Sequence, residues 1–233
     1  MCGRTSLFAP QSVVEQRFDA EAVEPLRPRY NIAPREDLAV IRDASPDRIE
    51  LLEWGLLPGW VDDPDSFSYP INARAETVAE KPTFREAFEQ RRCLVLADGF
   101  YEWQETPTGK QPYRVERTDG EPFAMAGLWE RWEGASGGGS DANTRETVTV
   151  VTTEPNEVVE PLHHRMSVIL DDAGAETWLG ADDTGTLQSV LEPSPAEELR
   201  SYPGSTAVND PSNDRPGIVE EVDPGEQTSL GEF

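Results

Sequence analysis

The sequence has little cysteine, little lysine, little histidine and no long apolar run. Its 233 residues include 2 cysteines, Cys2 and Cys93. That is too few for a disulfide framework; a single Cys2–Cys93 bridge stays open, and reduced thiols inside a cell are the default. No stretch resembles a signal-peptide core or a membrane span, so the expectation is a soluble, cytoplasmic protein with no membrane partner. Lys81 and Lys110 are the only lysines, and 20 basic residues stand against 45 acidic ones, for a net charge of −25. Such a surface suits a cytoplasm at molar salt. Acidity ordinarily argues against nucleic-acid partners. At about 1 M salt, however, the Debye length is only ~3 Å, so a local arginine cluster can still hold a phosphate. The 2 histidines, His163 and His164, are adjacent. On an extended backbone their rings point in opposite directions, and both cysteines are distant in sequence, which argues against a zinc site.

What is present reads as many short strands and a few helices. "QSVVEQRF" (Gln11 to Phe18) has Val14 and Phe18 on one helical face. "PTFREAFEQRR" reads as a helix with Thr83 as its N-cap and Glu86 three residues on. "DLAVIRD", "IELLEWGLLPGW", "PYRVER", "PFAMAGLWERW", "ETVTVVTTEPN" and "RMSVILDD" are strand candidates. "CLVLADGFYEWQ" is a strongly apolar strand interrupted at Asp98-Gly99. "AETWL" and "GTLQSVLE" suggest short helices, "EGASGGGSDANTRE" a surface loop, and "STAVND" a short strand. Strands and helices do not alternate as βαβ units, which points to a single α+β domain with a β-rich core.

Four stretches can carry chemistry. Met1 is removable when residue 2 is small, and the mature chain would then begin with Cys2, an amine and a thiol on neighbouring carbons. The amine titrates near ~8, so part of it is neutral and can attack an aldehyde, after which the thiol closes a thiazolidine ring. The plain alternative is that residue 2 is merely small. In "NARAET", a strand would put Asn72, Arg74 and Glu76 on one face, an arrangement suited to a phosphate or a sugar hydroxyl; taken alone, the stretch is better read as an edge strand with a solvated polar face. In "ADGFYEW", alternation sets Glu102 opposite Tyr101 and Trp103, and a carboxyl near apolar walls becomes a general acid; an outward-facing Glu is the bland reading. In "LHHRMSVIL", one histidine can serve as acid or base and Arg165 can contact a phosphate, against an ordinary surface pair. Of the 6 tryptophans, most belong to the core, and one or two near the site can stack on bases.

Taken in order, "MCGR", "RPRYNIAP", "EWGLLPGW", "INARAET", "FREAFEQRRCLVLADGFYEW", "VTTEPN", "HHRMSVIL" and "STAVN" resemble the SRAP family of SOS-response-associated peptidases or abasic-site processing proteins, from Cys2 to about Asn209. The resemblance implies an SRAP-like domain over 2–210 with a mixed, barrel-like sheet core and a few flanking short helices. An acidic Pro/Gly-rich segment, a packed extension or tail, would follow over 211–233. It implies a monomer near the nucleoid that senses abasic sites in single-stranded DNA without cofactor or metal and forms a thiazolidine crosslink through Cys2, with weak lyase and self-processing peptidase activity. Carried over by position, Asn72 resembles the residue beside the sugar, Glu102 the ring-opening acid and His163 the active-site histidine. Arg4, Arg74 and Arg165 resemble DNA contacts. Ser167 stands where the family usually has proline, and Leu96 where it often does; both changes free a backbone N–H. Two rivals remain. Glutamine amidotransferase domains also begin Met-Cys-Gly, though the Asn-Gly loop expected of them is missing here, and glutaminase turnover would reveal one. A noncovalent single-strand binding module would retain DNA unchanged after Cys2→Ser.

Overall fold

The computed structural model describes residues 3–107, 109–134 and 144–224. In chain order its elements are β1 (Thr5–Leu7), α1 (Gln11–Phe18), β2 (Glu21–Ala22), β3 (Arg29–Ile32), β4 (Asp37–Arg42), β5 (Ser45–Trp54), β6 (Asn72–Arg74), α2 (Arg85–Gln90), β7 (Arg92–Ala97), β8 (Gly99–Thr106), β9 (Gly109–Arg117), β10 (Phe123–Glu133), β11 (Thr144–Thr153), β12 (Met166–Ser167), β13 (Ile169–Leu170), α3 (Asp172–Gly180), α4 (Thr184–Ser189) and β14 (Leu199–Pro203).

The pairings form a closed circuit. β5 pairs antiparallel with β4, β4 with β7, β7 with β10 and β10 with β11. β11 then meets β5 in parallel through Thr147↔Glu53 and Val148↔Trp54. Closure removes the free edges that an open sheet would expose. A second, antiparallel sheet runs β14-β9-β8-β1-β3. The expected class, α+β with a mixed, barrel-like core, is what the chain adopts.

The apolar run from Cys93 to Trp103 supplies both sheets. β7 belongs to the barrel and β8 to the second sheet, and the chain crosses between them at Asp98. The interruption visible in the sequence is therefore a change of sheet. The core is filled from both sides by Trp54, Phe88, Phe100, Phe123, Met125 and Trp178, all essentially inaccessible. Its indoles keep their N–H groups satisfied, Trp54 donating to Ile71 O at 2.9 Å and Trp178 to Cys93 O at 3.0 Å. Arg92, also buried, donates to the carbonyls of Phe88, Glu89, Trp178 and Ala181, which ties the C-terminal ends of α2 and α3 to the barrel wall.

Three local expectations are corrected. α2 begins at Arg85 with Phe84 as its N-cap residue and no side-chain cap, because Phe84 and Arg85 already donate to Lys81 O in a preceding turn; Thr83 does not cap it. "STAVND" is a 3-10 turn over Thr206–Asn209, with the Ser205 hydroxyl accepting from Ala207 N–H. "RMSVILDD" divides into β12 and β13 around Val168. Most of the loop "EGASGGGSDANTRE" lies outside the described residues.

The stretch 211–224 packs onto the second sheet. The Asp214 carboxylate accepts from Tyr30 and Asn31 N–H and pairs with Arg29, and Ile218 is buried against Tyr101 and Val208. Residues 225–233 lie outside the described residues.

Candidate functional site

β8 has two unlike faces. Tyr101 and Trp103 turn toward Val208 and Ile218; the Tyr101 hydroxyl donates to Tyr30 O at 2.8 Å and the Trp103 indole to Asn209 at 2.7 Å. Glu102 and Gln104 lie on the opposite face, where Gln104 donates to Pro161 O at 3.3 Å. That bond brings the Glu102 face of β8 against the turn that ends in His163. Glu102 is only 2% exposed, and burial pushes its carboxyl up to about 7, against the pull of the chain's positive amino group.

β1 runs beside β8 with Thr5 opposite Phe100 and Ser6 opposite Gly99, and Tyr101 N–H donates to Arg4 O at 2.9 Å. Continued by two residues, this register sets Gly3 across from Glu102. Cys2 itself lies outside the described residues.

The third component is the end of β11. β6 lies parallel to it, with Asn72 opposite Val150 and Arg74 opposite Thr152. The strand stops at Arg74, and Glu76 sits in a turn, so the expected shared face of Asn72, Arg74 and Glu76 does not extend to Glu76. Glu76 instead accepts both terminal nitrogens of Arg165, whose Nη2 also donates to Thr152 O. The Arg165 guanidinium holds the Glu76 carboxyl below its ordinary range. Asn72 is half-buried. Arg74 is exposed, and among the described residues no carboxylate lies within salt-bridge reach of it.

The histidine pair departs from expectation. Leu162 and His163 N–H groups donate back to Val159 O, so the backbone is turned, and the two rings stack at 4.2 Å between centroids. His163 Nδ1 lies 3.0 Å from Arg165 N and 3.2 Å from Arg165 O, so the Arg165 backbone fixes the orientation of the ring. Burial, then the positive chain terminus, hold its pKa below the ordinary value. A neutral imidazole can take up a proton and hand it on to a substrate oxygen.

Glu102 and His163 thus both feel the positive chain terminus, while Asn72 and Arg74 stand on β6 beside the end of β11. Two of the three expected phosphate contacts are engaged within the protein. Arg4 projects to the Tyr101 side, donating to Asn31 Oδ1 at 3.0 Å and Val208 O at 2.9 Å. Arg165 is 8% exposed and bound as described. Sequence reading passed over Arg92, Arg114 and the side chain of Asp98. The one available signal was charge within or beside strongly apolar strands. Of the tryptophans, Trp60 is the exposed one, at 57%, with its ring edge-on to Phe67.

Among the described residues no three His, Cys, Asp or Glu side chains converge as a metal site, and no helix is long and apolar enough to cross a membrane.

Comparison with known proteins agrees with the motif order. An abasic site processing protein of Bacillus subtilis, YoqW, is 40% identical over 227 residues, covering 94% of this chain and 99% of the relative. The abasic site processing protein HMCES of Gallus gallus is 33% identical over 231 residues, covering 85% of this chain and 68% of its own. A crystal structure of a protein from Bacteroides thetaiotaomicron superposes with a TM-score of 0.84 at 28% identity, covering 95% of this chain and all of the other. The profile of the SOS response associated peptidases matches residues 1–211, and the chain belongs to that family, SRAP.

Proposed function

We propose that this chain processes abasic sites in single-stranded DNA by capturing the opened sugar aldehyde on a mature amino-terminal Cys2. The observation that carries this reading is Glu102. A buried carboxyl with a pKa of about 7 faces the position to which β1 delivers Gly3, and the covalent chain keeps the Cα of residue 2 about 3.8 Å from that of Gly3.

The steps balance as follows. Glu102, protonated, gives its proton to the ring oxygen while its other oxygen takes the C1′ hydroxyl proton, so the sugar opens to the aldehyde and Glu102 stays protonated. The neutral Cys2 amine attacks C1′, and His163 carries one proton from the nitrogen to the new alkoxide. Glu102 then protonates that hydroxyl, and water leaves to give a protonated Schiff base. The Cys2 thiol passes its proton to the Glu102 carboxylate, and the thiolate adds to the iminium carbon to close the thiazolidine. Asn72 and Arg74 hold the sugar and its phosphate, and positioning supplies much of the rate. Arg165, held by Glu76, orients the His163 turn from behind. Arg4 fixes β1 through Asn31 and Val208. The same Schiff base permits β-elimination, a weak lyase activity, and removal of Met1 by the chain itself would account for the peptidase in the family's name. The protein acts as a monomer without cofactor.

The test is intact mass spectrometry after incubation with a single-stranded oligonucleotide bearing one abasic site. The expected product is protein lacking Met1 plus DNA minus one water, absent with Cys2→Ala and on undamaged DNA. No adduct from protein shown to lack Met1 would overturn the reading.

A further inference from the structure

Glu102 acts on whatever β1 delivers, yet β1 has only three residues and little surface to fix its own register. A slip by one residue would turn every side chain to the other face. The structure supplies a charged device at this place. Asp98, at the crossing between sheets, takes four bonds from β1 and its neighbours. Oδ1 accepts from the Ser6 hydroxyl at 2.6 Å and from Arg114 Nη2 at 3.2 Å. Oδ2 accepts from the N–H groups of Phe8 and Ala9. Arg114, from β9, donates through Nη1 to the same Ser6 hydroxyl at 2.7 Å and through Nη2 to Asp98 O at 3.0 Å. Its Nε meets Glu116 at 2.9 Å.

The guanidinium has no access to solvent and lies against Gly99. A Cβ at Gly99 would sit 2.4 Å from Arg114 Cζ, so only glycine admits this approach. Buried ion pairs are poor sources of stability, because desolvating both charges offsets their attraction. They are good at specifying one arrangement, since any slip leaves a charge buried without its partner. Here the arrangement specified is Ser6 opposite Gly99, and three residues further toward the amino end it decides what stands beside Glu102.

We propose that Asp98, Arg114 and Ser6 form a register lock whose task is to place the amino-terminal nucleophile. They are positioning residues for the aldehyde capture proposed above, and the inference rests on that reading. All three are buried within the protein.

Ser6→Ala removes the hydroxyl shared by both charges and adds no bulk. Asp98→Asn keeps the shape and removes the charge. For each, two quantities are read in the full chain: hydrogen exchange at the Tyr101 amide, which is bonded to Arg4 O, and single-turnover crosslinking to an abasic-site oligonucleotide, alongside noncovalent affinity for the undamaged oligonucleotide. The expected result is at least tenfold faster exchange at Tyr101, slowing of crosslinking by about tenfold or more, as small misplacements of reacting groups produce, and unchanged DNA affinity. The Schiff base trapped by borohydride should also accumulate relative to the closed ring.

Unchanged exchange in both variants overturns the lock. Faster exchange with unchanged crosslinking overturns its role in placing the nucleophile. A wild-type protein that forms no crosslink refutes the aldehyde-capture reading instead, and the exchange measurement still decides whether the lock holds β1.

Discussion

Replacing Glu102 with Gln tests the central physical claim, that a carboxyl is kept protonated near neutrality by burial. In the unfolded chain this group ionises near the ordinary 4.5, whereas in the folded protein it keeps its proton to about 7. Between those values the folded state binds more protons than the unfolded state, so stability falls as pH rises through this window and levels off above it. At about 1.4 kcal/mol for each tenfold step in the proton equilibrium, the penalty at pH 8 is roughly 3 kcal/mol. Glu102 is 2% exposed, so solvent screening removes little of it. Gln is isosteric and never ionises. Urea unfolding of both proteins from pH 4.5 to 8.5 should therefore give stability curves that diverge by about 3 kcal/mol in favour of the variant as pH rises. Groups common to both proteins cancel in that difference. Crosslinking by the variant should fall across the whole range. Parallel stability curves would show that Glu102 is an ordinary carboxylate, and the acid assigned to it would be lost.

Three further outcomes follow from the geometry. Glu76→Gln should cost about 1–2 kcal/mol by chemical denaturation, moderated by the partial exposure of Glu76, and slow crosslinking by loosening Arg165 behind His163; unchanged values in both would separate that ion pair from the site. Gly99→Ala should destabilise by about 3 kcal/mol or more, because its Cβ meets the Arg114 guanidinium, and thermal melting would show it. With a net charge of −25 and few free cations at the site, affinity for undamaged single strands should stay flat from low to molar KCl, measured by fluorescence anisotropy; a steep fall would mean that phosphate neutralisation dominates.

The sequence displayed the β-rich class plainly, because strands such as "CLVLADGFYEW" and "ETVTVVTT" carry their apolar pattern locally. Alternation also placed Glu102 correctly opposite Tyr101 and Trp103. What stayed hidden depends on contacts between distant segments. Barrel closure rests on β5 meeting β11 across roughly ninety residues. The engagement of Arg165 by Glu76 and of Arg4 by Asn31 and Val208 shows the same limit. An arginine in a recognisable motif reveals its charge, but only the fold shows whether that charge faces a ligand or a neighbour. The stacking of His163 on His164 was missed because a turn, fixed by two bonds to Val159 O, replaces the extended backbone.

The position of β1 in its sheet bears on the order of synthesis. It is an interior strand, flanked by β3 on one side and β8 on the other, and β8 leaves the ribosome about ninety-five residues after it. At roughly 5–20 residues per second, one edge of β1 stays open for about 5–20 s of elongation. During that interval the strand leading to residue 2 is half-paired at most, and enzymes that trim nascent chains have access to it. Once β8 and β9 have paired, the Asp98–Arg114 pair closes over Ser6, and β1 passes from a half-open edge to an interior strand.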